Sequence, residues 1–166
     1  NGWEVSYRGD ATRPAASVIK LPIMVALYLR AARGALSLDA PVTITRADLT
    51  PGSGVLKNRP VGGAYPVREL IELMIAESDN IATNALIRVA DREILNAEFA
   101  ELGLRVTRLD HEILRGADDN PTSAEEMARL LALIARPEAS PDRPAAWHEL
   151  RASDLKAMRA TLGHTK

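Results

Sequence analysis

The chain has 166 residues, 46% of them hydrophobic, a formal net charge of −1 and no cysteine. That size and apolar content suffice for a single domain with a real core, and the near-neutral charge gives no basic field to draw nucleic acid or an anionic membrane. The absence of cysteine excludes disulfides, thiolate catalysis and Cys-ligated zinc, and aromatics that include a single phenylalanine offer no stacking platform for nucleic acid.

At the start, Trp3, Val5 and Tyr7 alternate with Glu4, Ser6 and Arg8, which predicts a strand covered on one side and leaves no signal peptide ahead of the fold. A helix is expected from about Ala16 to Arg33, stopped by Gly34 in a left-handed cap. Pro22 falls inside it, past the first turn, where it deletes a backbone hydrogen bond and should force a tight first turn or a slight kink. The longest apolar run, Leu21 to Leu29, is far short of the ~20 residues of a membrane span, so none is expected.

This helix carries the first candidate chemistry. Ser17 precedes Lys20 by three positions, which puts hydroxyl and amine on one face, a nucleophile with its base. The apolar surroundings, Ala15-Ala16 before and Leu21 to Leu27 after, make a charged lysine costly and should lower its pKa toward neutrality. Helix-start N–H groups near Ser17 would face developing negative charge. Ser153 and Lys156 repeat the spacing, but there Ser153 reads as a helix N-cap in a polar stretch.

From Leu38 to Pro66 the chain is rich in turn formers, with Pro41, Pro51-Gly52-Ser53-Gly54 and Gly62-Gly63; no G-K-[ST] follows these glycines, so they read as a surface connection and not a phosphate loop. Two helices follow, Val67 to Glu77 and Asp79 to Ala90, with Ser78 at the break and Ile81, Ala82, Ala85, Leu86 and Val89 as an apolar stripe on the second. Ser78-Asp79-Asn80 has N-cap composition, yet it would also bring a second hydroxyl and a carboxamide to the Ser17 cleft, one to relay a proton and one to bond a substrate amide. Further helices are expected over Arg92–Leu102, Ser123–Ala135 and Ser153–Leu162. In the middle one, Ser123 and Glu126 form a capping box, and Met127, Leu130, Leu131 and Ile134 face the core. Residues 136–144 read as a proline-studded surface loop or linker. His111, His148 and His164 lack metal-ligand spacing, so no zinc site is expected and His111 reads as a loop residue.

The S-x-x-K and S-D-N strings, in this order, resemble the motifs of class A serine β-lactamases and related penicillin-binding enzymes. The similarity extends to their context: residues 14–23 read like the family's nucleophile helix, 74–86 like the segment around its second motif, and Thr107-Arg108-Leu109-Asp110 like the lead-in to its omega loop. The resemblance implies an α+β fold of β-lactamase/transpeptidase type, seen here as one domain over 1–166 that is predominantly helical with a small antiparallel sheet. It implies Ser17, Lys20 and Ser78 as catalytic residues, Asn80 as substrate-binding, no metal or organic cofactor, and a periplasmic or secreted location.

Two departures qualify that picture. No K-T-G motif follows: His164-Thr165-Lys166 has the residues in the wrong order, so the family's C-terminal strands are expected to be absent from this chain, and a second chain or homo-oligomer completing the sheet is one alternative. The family's omega-loop glutamate acts in deacylation, and Glu112 lies near its place, but the loop is short and the usual leucine and asparagine companions are missing. The expected function is a serine hydrolase that opens β-lactam rings through a Ser17 acyl-enzyme. The alternatives are a D-alanyl-D-alanine peptidase or esterase acting on cell-wall peptide, and a non-catalytic sensor or split module.

Overall fold

The computed structural model describes residues 6–137 and 143–165. Its centre is helix α1 (Lys20–Ala32), in which every residue from Lys20 to Leu29 is buried. A helix apolar around its whole circumference belongs in an interior, and here α2 (Val67–Ala76), α3 (Asn80–Ala90), α4 (Arg92–Glu101), α5 (Ala124–Ala135) and α6 (Ala152–Gly163) all pack against it. Among the described residues, two antiparallel strand pairs accompany the helices. β1 (Arg13–Pro14) pairs with β4 (Pro121–Thr122), and β2 (Pro41–Thr43) pairs with β3 (Ala64–Pro66), setting Val42 opposite Tyr65. This is the α+β, mainly helical arrangement that the resemblance implies.

The helix boundaries have local causes. Gly34 ends α1 at φ +70°, and the Ala35 N–H donates back to the Arg30 carbonyl at 2.9 Å, as a left-handed terminus requires. Pro22 is the third residue of α1 and the seventh of the helical run that opens with the 3-10 turn before it, so its missing N–H leaves the Val18 carbonyl without an i+4 donor, as expected. The tight turn expected there is the 3-10 segment Ala16–Ile19 that leads into the helix. At α2 the first N–H groups are taken from outside the helix, Val67 by the Ala40 carbonyl and Arg68 by that of Leu38.

Several expectations need correction. Trp3 and Val5 of the expected first strand lie outside the described residues, and Tyr7 sits in an irregular bend, 87% exposed. On α3, Val89 is exposed and Ile87 takes its place in the core. On α5, Leu131 is exposed and Leu133 buried: Met127, Leu130, Leu133 and Ile134 already fill the core-facing stripe, and Leu131 turns away from it. Ser123 caps α5 by accepting from the Glu126 N–H, but the reciprocal arm of the box is missing. The Glu126 carboxylate instead accepts from three successive N–H groups, those of Arg105, Val106 and Thr107. α6 begins at Ala152, so Ser153 lies within the helix, and the capping pair is Arg151 with Asp154. The expected loop at 136–144 falls partly outside the described residues.

Candidate active site

Ser17 and Lys20 flank the join between the 3-10 turn and α1. In a 3-10 turn the side chains at i and i+3 eclipse, which aligns hydroxyl and amine better than an α-turn would. Two connections fix the start of this turn: Ala15 N–H donates to the Asn120 carbonyl at 2.8 Å, continuing the β1–β4 pairing, and Ala16 N–H donates to Asp119 Oδ2 at 3.2 Å. Ala16 adopts φ +44°. A non-glycine residue in that region is under strain, and such strain clusters at functional sites.

The S-D-N turn comes from the α2–α3 connection, where Ser78 has φ +50°. Asp79 is the brace, fully buried, with Oδ1 accepting from the Ile81 and Ala82 N–H groups at 2.9 Å each and Oδ2 from Leu56 N–H at 2.8 Å. One carboxylate therefore caps α3 and ties the turn to the 51–56 segment. Gly54, at φ +119°, is pressed so closely on Asp79 that a Cβ there would meet its carboxylate at 2.3 Å. The glycines that read as a plain surface connection thus form the seat of the S-D-N turn. Asn80 donates to the Pro51 carbonyl at 3.1 Å, and its backbone N–H donates to that of Ser53.

These elements bring all four sequence-predicted residues together. Lys20 Nζ donates to the Ser78 carbonyl at 2.7 Å, to Asn80 Oδ1 at 2.7 Å and to Ser78 Oγ at 2.9 Å, while Ser17 Oγ lies at 3.4 Å. The three short bonds use all three protons of an ammonium. Ser78 Oγ donates to Ser17 Oγ at 3.0 Å, closing a triangle of Ser17, Ser78 and Lys20. Burial pulls the Lys20 pKa down from 10.5 to about 8, against the opposing field of Asp79. An amine so placed is about one-tenth neutral at pH 7 and half neutral one unit higher, within reach of a base's task.

Two spaces open at Ser17. One is a small cavity of about 140 Å³ lined by Ala16, Ser17, Asn80, Ile113, Leu114, Asp119 and Asn120. The other is an apolar groove of about 320 Å³ between Ser17, Val18, Met74, Ile75, Leu131 and Leu162. Glu112 lines neither. It faces a separate cavity with Asp48, Arg88 and Arg115, on the other side of its loop, and it is Ile113 and Leu114 that turn toward Ser17. Asn84 enforces this orientation by accepting from Ile113 N–H at 2.8 Å and donating to its carbonyl at 3.3 Å. Asp119 and Asn120 are the site residues that sequence reasoning missed. The only local signal was the turn-forming run Asp118-Asp119-Asn120-Pro121, and pairing of β4 with β1 is what carries it to Ser17.

Comparisons with known proteins bear on the family and the fold. A beta-lactamase from Rhodobacter capsulatus is 32% identical over 140 residues, covering 80% of this chain and 47% of its own length. The beta-lactamase VEB-1 of Pseudomonas aeruginosa is 31% identical over 109 residues, 61% of this chain and 36% of that protein. Among solved structures, the beta-lactamase of Sphaerobacter thermophilus superposes with TM-score 0.84 at 27% identity, over 99% of this chain and 60% of its own. A point mutant of PBP-A, captured as an acyl-enzyme complex with penicillin G, gives 0.85 at 30% identity, over 97% of this chain and 58% of its own. The chain thus spans about half the length of the first of these curated relatives. The family model described as "Beta-lactamase enzyme family" matches residues 1–151, and the chain belongs to that family.

Proposed function

We propose that this protein is a serine hydrolase of the β-lactamase type, acylated on Ser17 by β-lactams. The observation that carries the reading is the hydrogen-bonded triangle of Ser17, Ser78 and Lys20. The contacts favour a route through Ser78: 3.0 Å and 2.9 Å are ordinary hydrogen-bond lengths, whereas the direct 3.4 Å is long. Once Lys20 is neutral, the two hydroxyls reverse. Ser17 gives its proton to Ser78 Oγ as Ser78 gives its own to the amine, and Ser17 Oγ bonds to the lactam carbonyl carbon. The ring C–N bond then breaks, and the proton returns from Lys20 through Ser78 to the leaving nitrogen. Asn80 holds the substrate's side-chain amide. Every step uses side chains alone.

Turnover is expected to be slow. Ile113 and Leu114, not Glu112, line the Ser17 cavity, and the carboxylate that shares it, Asp119, is turned to the Ala16 N–H through Oδ2. This favours a second reading, a relative of the D-alanyl-D-alanine peptidases and esterases for which cell-wall peptide is the substrate and a penicillin a long-lived label. Either substrate places the protein outside the cytoplasmic membrane; among the described residues no helix is long and apolar enough to cross one. Intact-mass measurement over time after mixing with a penicillin separates the readings. An adduct that disappears marks a β-lactamase, one that persists marks the peptidase-like relative or a sensor, and no adduct refutes acylation by this chain.

A further inference from the structure

We propose that His111 is a positioning residue whose protonated ring staples the 112–118 turn closed beside Ser17. Its two ring nitrogens meet two backbone carbonyls at opposite ends of that turn, Nδ1 with Glu112 at 2.7 Å and Nε2 with Asp118 at 2.7 Å. A carbonyl oxygen only accepts. A neutral imidazole carries one N–H and satisfies one of the two contacts, leaving the other as lone pair against lone pair; the imidazolium carries two and satisfies both. The turn is also built around the ring: a Cβ at Gly116 would lie 2.1 Å from His111 Cδ2 and Nε2, so only glycine allows the chain to close there.

The staple is connected to the site. Asn120, 1% exposed, accepts from Asp110 N–H at 2.8 Å and His111 N–H at 3.2 Å, and donates to the His111 carbonyl at 3.1 Å. Its own carbonyl holds Ala15, two residues before the nucleophile. Between the stapled ends lie Ile113 and Leu114, which wall the Ser17 cavity. Ile113 packs against the core, whereas Leu114 is 60% exposed at φ +59°, so hydrophobic burial does little to hold Leu114 in place.

The charged groups around the ring do not replace it. Its own loop supplies Asp110, engaged by Arg108, and Asp119, engaged by Ala16 N–H, with Glu112 and Asp118 beside the two stapled carbonyls. From α4, Arg92 donates to the Asp110 carbonyl; from α3, Arg88 binds Asp48; and Arg115 donates to the Ala47 and Leu49 carbonyls. None of these bonds links the Glu112 end of the turn to the Asp118 end. Asn120 and Asn84 keep the His111 backbone and Ile113 in place whatever the state of the ring, so loss of the second ring proton loosens the Leu114-to-Asp118 part of the turn, and Leu114 leaving the cavity wall admits water to an ester on Ser17.

Only this last consequence rests on the Ser17 reading, and the first test avoids it. Amide hydrogen exchange of peptides covering 109–120, corrected for the intrinsic pH dependence of exchange, is compared at about pH 5.5 and about pH 8 on the full chain without lactam. The wild type is expected to lose about tenfold in protection at the higher pH, the value of one lost hydrogen bond. His111→Gln, which does not titrate, is expected to show no such step. An equal step in both proteins, or none in the wild type, overturns the proposal. Should the variant fail to fold, nitrogen-15 NMR of the wild-type ring decides: two ring N–H protons both protected from exchange with water at about pH 5.5 support the staple, and ring N–H protons that exchange freely there overturn it. With penicillin, the adduct should be shorter-lived at the higher pH in the wild type and not in His111→Gln. If no adduct forms at all, the functional reading fails while the exchange result still decides the staple.

Discussion

Replacing Asp79 by alanine should unfold the protein at a much lower temperature, for a reason that can be counted in atoms. The carboxylate is fully buried and accepts from three backbone N–H groups, those of Leu56, Ile81 and Ala82. Its removal strands three buried donors, each costing about 1–3 kcal/mol unless water enters. With partial relaxation the total is about 4 kcal/mol, a large share of the ~5–15 kcal/mol that holds a domain together. For a chain of this size that corresponds to a fall in Tm of about 8–16 °C, read by circular dichroism or calorimetry. Asp79→Asn should lose about half as much, because one amide oxygen can serve the α3 end while its NH2 opposes the Leu56 N–H. A fall of less than about 3 °C in the alanine variant would show that the S-D-N turn is held some other way, and the reasoning would fail.

The neighbouring substitution, Ser78→Ala, should lower Tm by only about 2–6 °C, the cost of one acceptor lost to the Lys20 ammonium, while slowing acylation by about 10²–10⁴-fold because it removes the proton relay. Acylation should rise with pH through a midpoint of about 8, the Lys20 value, gaining about tenfold between pH 7 and pH 9 as stopped-flow or quenched mass measurements follow it. The same lowered pKa fixes a stability trend: the unfolded chain binds the Lys20 proton more tightly, so this group's contribution to unfolding free energy should increase as pH rises from about 8 toward 10.5. On α5, Leu133→Ala should cost about 2–4 kcal/mol in denaturant titrations, whereas Leu131→Ala, on the exposed side, should cost less than about 1 kcal/mol.

The approach of Ser17 to Lys20 and the S-D-N turn were legible because both are written in local spacing: Lys20 follows Ser17 by three positions, and Ser78 to Asn80 are consecutive. The helices were legible from their caps, with Gly34 and Ser123 at the positions the pattern assigned. Periodicity failed at Leu131 and Val89. A leucine or valine next to an apolar stripe looks the same in sequence whether it points inward or flanks the core, and only the packing of Leu133 and Ile87 decides. The wall of the Ser17 cavity was illegible for a related reason. A shift of one residue along a loop exchanges Glu112 for Ile113 at the cavity, and the register is set by Asn84 from a helix far away in sequence. The same is true of Asp119, which reaches Ser17 through the pairing of two-residue strands that no pattern announces.

The central claim is that Ser17, and no other serine, becomes acylated because Lys20 and Ser78 lie beside it. Peptide mapping after brief exposure to a penicillin tests it most directly. The account expects the added mass on the peptide containing Ser17 and its loss in Ser17→Ala. Label on the peptide carrying Ser78 or Ser153, or label that survives the Ser17→Ala change, would contradict it.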